Sequence, residues 1–216
     1  MMLRGARRRR GPDSRERKQE LRAVALRVRR SIDPEALRAL SSMVEENVVS
    51  LGEYLDARLI ISYCAKPDEV QTKHLIERAL AGGKRVAVVV TDLPSKSLRF
   101  SEIESFEDEL APGQFGILEP RPGHLRPVDI SAADLIVVPL VAWDEEGRRL
   151  GYGAGYFDRA LARAKEVPKV GLALESQRFP KIPESRYDVP LDVIVTEKRV
   201  VRPREKAFKN RGSRSR

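Results

Sequence analysis

Apolar and polar positions alternate along this chain in two rhythms, and the changes between them lay out the expected elements. From Ser14, a suitable N-cap, Leu21, Val24, Ala25 and Val28 recur at the 3.6-residue period of a helix that should stop before Asp33-Pro34. Asp33 caps a second helix, opened by Pro34 and running to about Ser50, with Leu37, Leu40, Val44, Val48 and Leu51 as its stripe. The rhythm then shortens. Arg58 to Tyr63 reads as a buried strand, roughly Lys73 to Ala81 as a helix ended by Gly82-Gly83, and Lys84 to Val90 as a second buried strand. Leu98 to Phe100 predicts a short strand, and the glycine and prolines between Pro120 and Pro127 a loop. Leu135 to Val141 is a continuous apolar run whose β-branched content suits a strand covered on both faces of a parallel sheet. Phe157, Ala160, Leu161 and Ala164 fall at i, i+3, i+4 and i+7, one face of a helix that packs back onto that sheet. Lys169 to Leu174 and Asp192 to Thr196 add two further strands. Buried strands alternating with helices imply an α/β fold: a three-layer, Rossmann-like open and mostly parallel sheet with helices on both faces and right-handed crossovers.

Composition changes this picture at the ends of the chain. At 216 residues there is room for one domain of this kind, expected over 14–203. The net charge of +9 comes from the termini: seven arginines face Asp13 and Glu16 in 1–17, and seven Lys or Arg face Glu205 in 202–216. The body is left slightly acidic, so 1–13 and 204–216 are expected to be disordered basic tails with weak polyanion binding and no specific nucleic-acid role. No apolar run approaches the ~18 residues of a membrane span, and the expectation is a cytoplasmic monomer with no membrane partner. One cysteine, Cys64, excludes an intrachain disulfide, and one cysteine with two histidines argues against a zinc site.

Candidate chemistry concentrates between the long apolar run and the helix after it. Gly151, Gly153 and Gly155 lack a Cβ at every second residue, which lets the backbone approach a ligand closely, and phosphate suits such a loop. Arg149 precedes the glycines and could pair with phosphate oxygens, and Asp158 could hold a divalent cation beside them. The bland alternative is that the glycines serve only a turn and Asp158 only the helix. No Lys-Ser/Thr pair follows, so this is not a P-loop. A dinucleotide fingerprint comes closer, with Gly151-x-Gly153 and Glu175 further on, but Tyr156 stands at the third glycine and about ten residues separate strand from glycines. Lys18 and Arg22, four apart, share a helix face and could close on one anion, although two bases on a helix are ordinarily a solvated face. Glu69 follows a strand in the loop CAKPDEVQT, where open α/β sheets build crevices; its bland role is to complement a helix N-terminus.

The stretch VPLVAWDEEGRRLGYGAGYFDR closely resembles the signature of the 5-formyltetrahydrofolate cyclo-ligase (methenyltetrahydrofolate synthetase) family, and the resemblance runs from about Lys18 to Glu197. It implies an enzyme that uses ATP and Mg2+ to convert 5-formyltetrahydrofolate to 5,10-methenyltetrahydrofolate. Lys18-x-x-x-Arg22 matches the pair that opens the family and is associated with ATP phosphates. Carried over by position, Lys18, Arg22, Arg149, Gly151, Gly153, Gly155 and Phe157 bind ATP. Cys64, Glu69, Tyr152, Gly153, Ala154, Gly155 and Tyr156 line the folate site, with Glu69 facing the pterin. Lys18, Arg149 and Tyr156 carry catalysis. Asp188, in RYDVPLDVIVTE, joins Asp158 as a cation ligand, while Asp192 orders the last strand. Relatives commonly carry Gly or a basic residue at Ala154, which leaves open a paralogue acting on another formylated or pterin-like compound. An RNA-associated adaptor using the tails would leave the glycine loop without a purpose.

Overall fold

The short apolar runs form the interior of an eight-stranded sheet, and the periodic segments form the helices around it. The structure, a computed structural model, describes residues 14–203; the expected basic tails lie outside the described residues. In chain order the helices are α1 (Ser14–Arg30), α2 (Pro34–Val49), α3 (Gly52–Asp56), α4 (Lys73–Ala81), α5 (Phe106–Glu109) and α6 (Tyr156–Leu161). The strands are β1 (Leu59–Ser62), β2 (Arg85–Asp92), β3 (Ser97–Ile103), β4 (Leu110–Pro112), β5 (Leu118–Pro120), β6 (Pro127–Val128), β7 (Leu135–Pro139), β8 (Ala142–Trp143), β9 (Arg149–Leu150), β10 (Lys169–Leu172), β11 (Val193–Val195) and β12 (Val200–Val201).

The sheet order is β12-β11-β10-β7-β1-β2-β3-β6, with the inner run from β11 to β2 parallel and β12, β3 and β6 added antiparallel at the edges. This is the mostly parallel α/β sheet expected from the sequence. Every residue of β1 and β10 is buried, as are the first four of β7, which is why these strands show no alternation of polar and apolar positions. From β1 the chain passes through α4 to β2 on one side; from β7 it passes through α6 to β10 on the other. Right-handed crossovers run in opposite directions place α4 and α6 on opposite faces. On the α4 face lies α2, tied by Arg78 at 2.7 Å from Glu46 and 3.5 Å from Glu45. Strand order therefore reverses between β1 and β7, and the crevice beyond their carboxyl ends is where an open α/β sheet takes its ligands. Helix α1 sits against that crevice on a small core of its own, where Ala25 packs with Val141, Ala142, Leu150 and Ile182.

Several boundaries differ from the sequence reading, three of them by more than two residues or with a change of element. The apolar run expected as one strand to Val141 ends at Pro139, because Val141 N–H bonds the carbonyl of Leu150 at 2.6 Å and the chain enters the β8–β9 hairpin. The short strand at Leu98 to Phe100 extends to Ser97–Ile103, since it pairs along almost the whole of β2. Helix α6 stops at Leu161, where Arg163 and Ala164 close three-residue turns onto Ala160 and Leu161, yet Ala164 still reaches the core. Asp192 acts as expected on the last strands, its Oδ2 accepting from Lys169 N–H at 2.8 Å.

Candidate active site

The hairpin after β7 aims the first group. Asp144 is buried and its carboxylate accepts from the backbone N–H groups of Glu146, Arg148 and Ile182 and from Arg148 Nε. Gly147 completes the turn at φ 79°, where a Cβ would lie 2.6 Å from the Leu191 carbonyl oxygen, so a side chain is excluded there. The turn sends Arg149 inward. Its side chain is 3 % exposed, and the guanidinium donates to Asp158 Oδ1 at 2.9 Å and bonds the Val189 carbonyl. Burial pulls Arg149 below its ordinary value, opposed by Asp158 and Asp188; a guanidinium there stays charged.

The glycine loop follows. Gly153 adopts φ 103° and Gly155 φ 69°, conformations in which a Cβ would meet Arg22 Cζ at 3.2 Å and Arg159 at 3.1 Å, whereas the space beside Gly151 is open. Helix α1 supports the loop: Arg22 Nε donates to the Gly151 carbonyl at 2.7 Å, and Lys18 bonds Asp188. Both oxygens of Asp188 are engaged, Oδ2 also accepting from Ser185 N–H and Oδ1 from its hydroxyl, each at 2.8 Å. Partial burial pushes the Asp188 carboxyl up, but Lys18 and Ser185 more than offset it and hold it below the usual range. Asp158 Oδ1 also accepts from Val189 N–H at 3.2 Å, so the two carboxylates converge on one short segment. Among the described residues no third His, Cys, Asp or Glu joins them in a metal-binding group. Two hard oxygen donors fit magnesium when phosphate oxygens and water complete the shell.

On the other side of the loop stands Glu69, 5 % exposed. Its Oε2 accepts from Lys66 N–H at 2.8 Å and its Oε1 from the Tyr152 hydroxyl at 2.7 Å. Burial raises the Glu69 carboxyl, against the pull of Lys66 N–H, Tyr152, Arg29 and the Lys66 ammonium. Gln71 donates its amide to the carbonyls of Lys66 and Glu69 and so shapes the loop. Lys66 Nζ lies 4.1 Å from the centre of the Tyr152 ring.

The structure thus gathers Lys18, Arg22, Arg149, Gly151, Gly153, Gly155, Asp158 and Asp188 on one flank of the loop, and Glu69 with Tyr152 on the other. Ala154 is exposed, and its carbonyl accepts from Arg159 at 3.0 Å. Tyr156, half-buried, opens α6 with the Arg159 guanidinium 5.2 Å from its ring centre. One expected contact is placed differently. Cys64, 3 % exposed, packs in the main core, and burial, then Glu119, pushes its thiol up to about 12. Phe157, like Tyr156, is half-buried and packs against that core from one side. Glu175, the ribose-binding acid of the dinucleotide alternative, is bound instead to Arg199 at 2.8 Å and Thr196 at 3.1 Å. The residue missed was Arg29, which joins Asp68, Tyr152 and the Leu140 carbonyl. Its signal was present: Lys18, Arg22, Ala25 and Arg29 fall at i, i+4, i+7 and i+11, and this stripe packs inward.

A family model described as the 5-formyltetrahydrofolate cyclo-ligase family matches residues 14–197. The chain is 29% identical over 175 residues to a 5-formyltetrahydrofolate cyclo-ligase of Escherichia coli (strain K12), covering 80% of this chain and 96% of that one. It is 31% identical over 185 residues to the protein of that name in Mycolicibacterium smegmatis, covering 84% and 94%. The NMR structure of Aquifex aeolicus 5,10-methenyltetrahydrofolate synthetase is similar with a TM-score of 0.76 at 35% identity, over 92% of this chain and 95% of that one. A 5,10-methenyltetrahydrofolate synthetase from Mycoplasma pneumoniae shares the fold, with a TM-score of 0.67 at 21% identity over 83% and 98%.

Proposed function

The chain belongs to the 5-formyltetrahydrofolate cyclo-ligase family, and from that membership we propose that it couples ATP cleavage to the closure of 5-formyltetrahydrofolate into 5,10-methenyltetrahydrofolate. The observation that carries the reading is the single glycine loop flanked by cations on one side, Lys18, Arg22 and Arg149, and by the buried acceptor Glu69 on the other. A formamide oxygen is a poor leaving group. It attacks the γ-phosphorus, forming an O–P bond as the bond to ADP breaks. The neighbouring N10 amine then adds to the activated formyl carbon and loses its proton to water, and the C–O bond breaks to release inorganic phosphate. Substrate supplies both nucleophiles, so the protein has only to position and to stabilise charge.

Lys18 and Arg149 oppose the charge on the transferring phosphoryl group, and Arg22 fixes the loop through the Gly151 carbonyl. Glu69 accepts hydrogen bonds from pterin N–H groups. Tyr156 borders the folate edge of the loop. Asp158 and Asp188 would hold magnesium, which when bound neutralises phosphate charge. The reading includes a monomeric cytoplasmic enzyme without membrane or specific nucleic-acid partners; among the described residues no helix is long and apolar enough to cross a membrane. The experiment mixes purified protein with 5-formyltetrahydrofolate, ATP and magnesium and follows the absorbance of methenyltetrahydrofolate, with ADP appearing in equal amount. ATP binding without that product would point to another formylated or pterin-like substrate. Absence of ATP binding would overturn the phosphate role of Gly151 to Gly155.

A further inference from the structure

We propose that Arg29 is a positioning residue of the folate half of the site, holding Glu69 as an anionic acceptor and tying it through Tyr152 to the glycine loop. The inference rests on the folate reading of Glu69 given above. Arg29 lies in the last turn of α1 with its side chain 2 % exposed. Its Nε and one terminal nitrogen bond Asp68 Oδ2 at 3.2 and 2.8 Å, and that same nitrogen donates to the Tyr152 hydroxyl at 2.6 Å. The other terminal nitrogen donates to the Leu140 carbonyl at 3.3 Å and stands 3.9 Å from Glu69 Oε1. One guanidinium therefore touches the loop after β1, the segment after β7 and the glycine loop.

Asp68 and the Leu140 carbonyl take three of the five N–H donors of this buried guanidinium. The remaining contacts go to the two residues that face the ligand. Because the Tyr152 oxygen accepts from Arg29, its own proton is directed to Glu69 Oε1, and the phenol becomes a relay from α1 to the acid. The groups facing Glu69 are Arg29 from α1, Lys66 and Asp68 from its own loop, Tyr63 from the end of β1 and Tyr152 from the glycine loop. Of these, Arg29 and Lys66 are the cations, and only Arg29 is buried. Burial works against a charged Glu69, and the guanidinium opposes it.

The test uses full-length Arg29→Met and Arg29→Lys, with calorimetric binding of 5-formyltetrahydrofolate and of ATP with magnesium measured separately, and kcat and KM measured for each. Arg29→Met should weaken folate binding about tenfold or more, the scale of a lost charge-assisted contact, and raise the folate KM, while nucleotide affinity stays within about twofold. The acid limb of kcat/KM for folate should move to higher pH, since Glu69 loses a cation that keeps it ionised; Arg29→Lys should restore the limb. In a Glu69→Gln background, Arg29→Met should change folate affinity by less than about twofold, because no carboxylate remains to be held. Equal weakening of folate and nucleotide, additive losses in the Gln background, or an unmoved acid limb would each overturn the proposal. Wild-type protein that binds no folate would overturn the functional reading and this inference with it. Folate binding unaffected by Arg29→Met would overturn the inference alone.

Discussion

Replacing Gly153 by Ala tests the glycine loop most directly, because the structure specifies both what the methyl group meets and what conformation it must adopt. At φ 103° an alanine is strained by on the order of 1–3 kcal/mol. Its Cβ would sit 3.2 Å from Arg22 Cζ and 3.4 Å from each terminal nitrogen, so the guanidinium must shift by a few tenths of an ångström or release the Gly151 carbonyl it holds at 2.7 Å. If the loop keeps its shape, the strain lowers the thermal midpoint by about 2–4 °C per kcal/mol in a protein of this size. If the loop relaxes, the cost falls on binding, and 1–3 kcal/mol is about fivefold to about 150-fold in nucleotide affinity. Gly151→Ala is the control: its φ is ordinary and its Cβ meets nothing, so stability should be unchanged while the added methyl group occupies space open to a phosphate. Calorimetric ATP titration and thermal unfolding of both variants give the answer. Wild-type stability together with wild-type affinity in Gly153→Ala would refute the reasoning, since the strain would then appear in neither measurement.

Asp158→Asn should weaken ATP binding about tenfold in magnesium but strengthen it in EDTA, where bare nucleotide no longer meets that carboxylate, measured by calorimetry in both conditions; equal loss in both would mean that Asp158 serves only Arg149 and the Val189 N–H. A chain trimmed to 14–203 should keep full ATP-dependent activity, because every candidate ligand lies within it; a folded but inactive product, judged by circular dichroism and turnover, would place the tails in the site. Asp134, held below its ordinary value by the N–H groups of Leu59 and Arg58, and Glu175, held down by Arg199, are depressed carboxylates. Their stabilisation is present above the unfolded values near about 4 and is lost as pH falls through the folded ones. The thermal midpoint should therefore drop between about pH 5 and pH 3, less steeply in Asp134→Asn.

The sheet was legible because burial on both faces erases alternation: β1, β7 and β10 had to appear as uninterrupted apolar runs. The same property hid the β8–β9 hairpin, since a turn inside an apolar run leaves the run unbroken and Val141 pairs with Leu150 without any change of residue type. Turn chemistry did mark it, with Asp144 and Gly147 at the first and fourth positions. The glycine loop with Arg149 and Asp158 was readable because these lie within a few residues of one another, whereas Lys18, Arg22 and Asp188 are distant in sequence and were joined to it only by the family resemblance. Arg29 and its link to Tyr152 were not, because a base on a helix looks solvated until a crevice is known to lie against that face. Cys64 shows the converse: placed beside Glu69 in sequence, it turns into the core while Glu69 turns toward Tyr152.

Apart from Arg22, which bonds a carbonyl, each main cation of the crevice holds an anion in the structure: Lys18 holds Asp188, Arg149 holds Asp158, and Arg29 holds Asp68. On the proposed reading, phosphates that take Lys18 and Arg149 release two carboxylates beside themselves. With side-chain exposures of 27 % for Asp158 and 25 % for Asp188, water screens them only in part. Like charges about 4 Å apart repel by roughly 4 kcal/mol at the effective dielectric of such sites, so bare nucleotide meets a penalty that grows with each contact it makes. Asp158 and Asp188 need a divalent cation at the moment they lose Lys18 and Arg149. Without nucleotide, the same cation would have to displace an ammonium and a guanidinium already in place. Magnesium and ATP should therefore bind as one complex. Calorimetric titration of magnesium alone should show little binding, and each should raise the affinity of the other by the same factor. Tight magnesium binding in the absence of nucleotide would contradict this exchange and would mean that the carboxylates are not committed to Lys18 and Arg149 in solution.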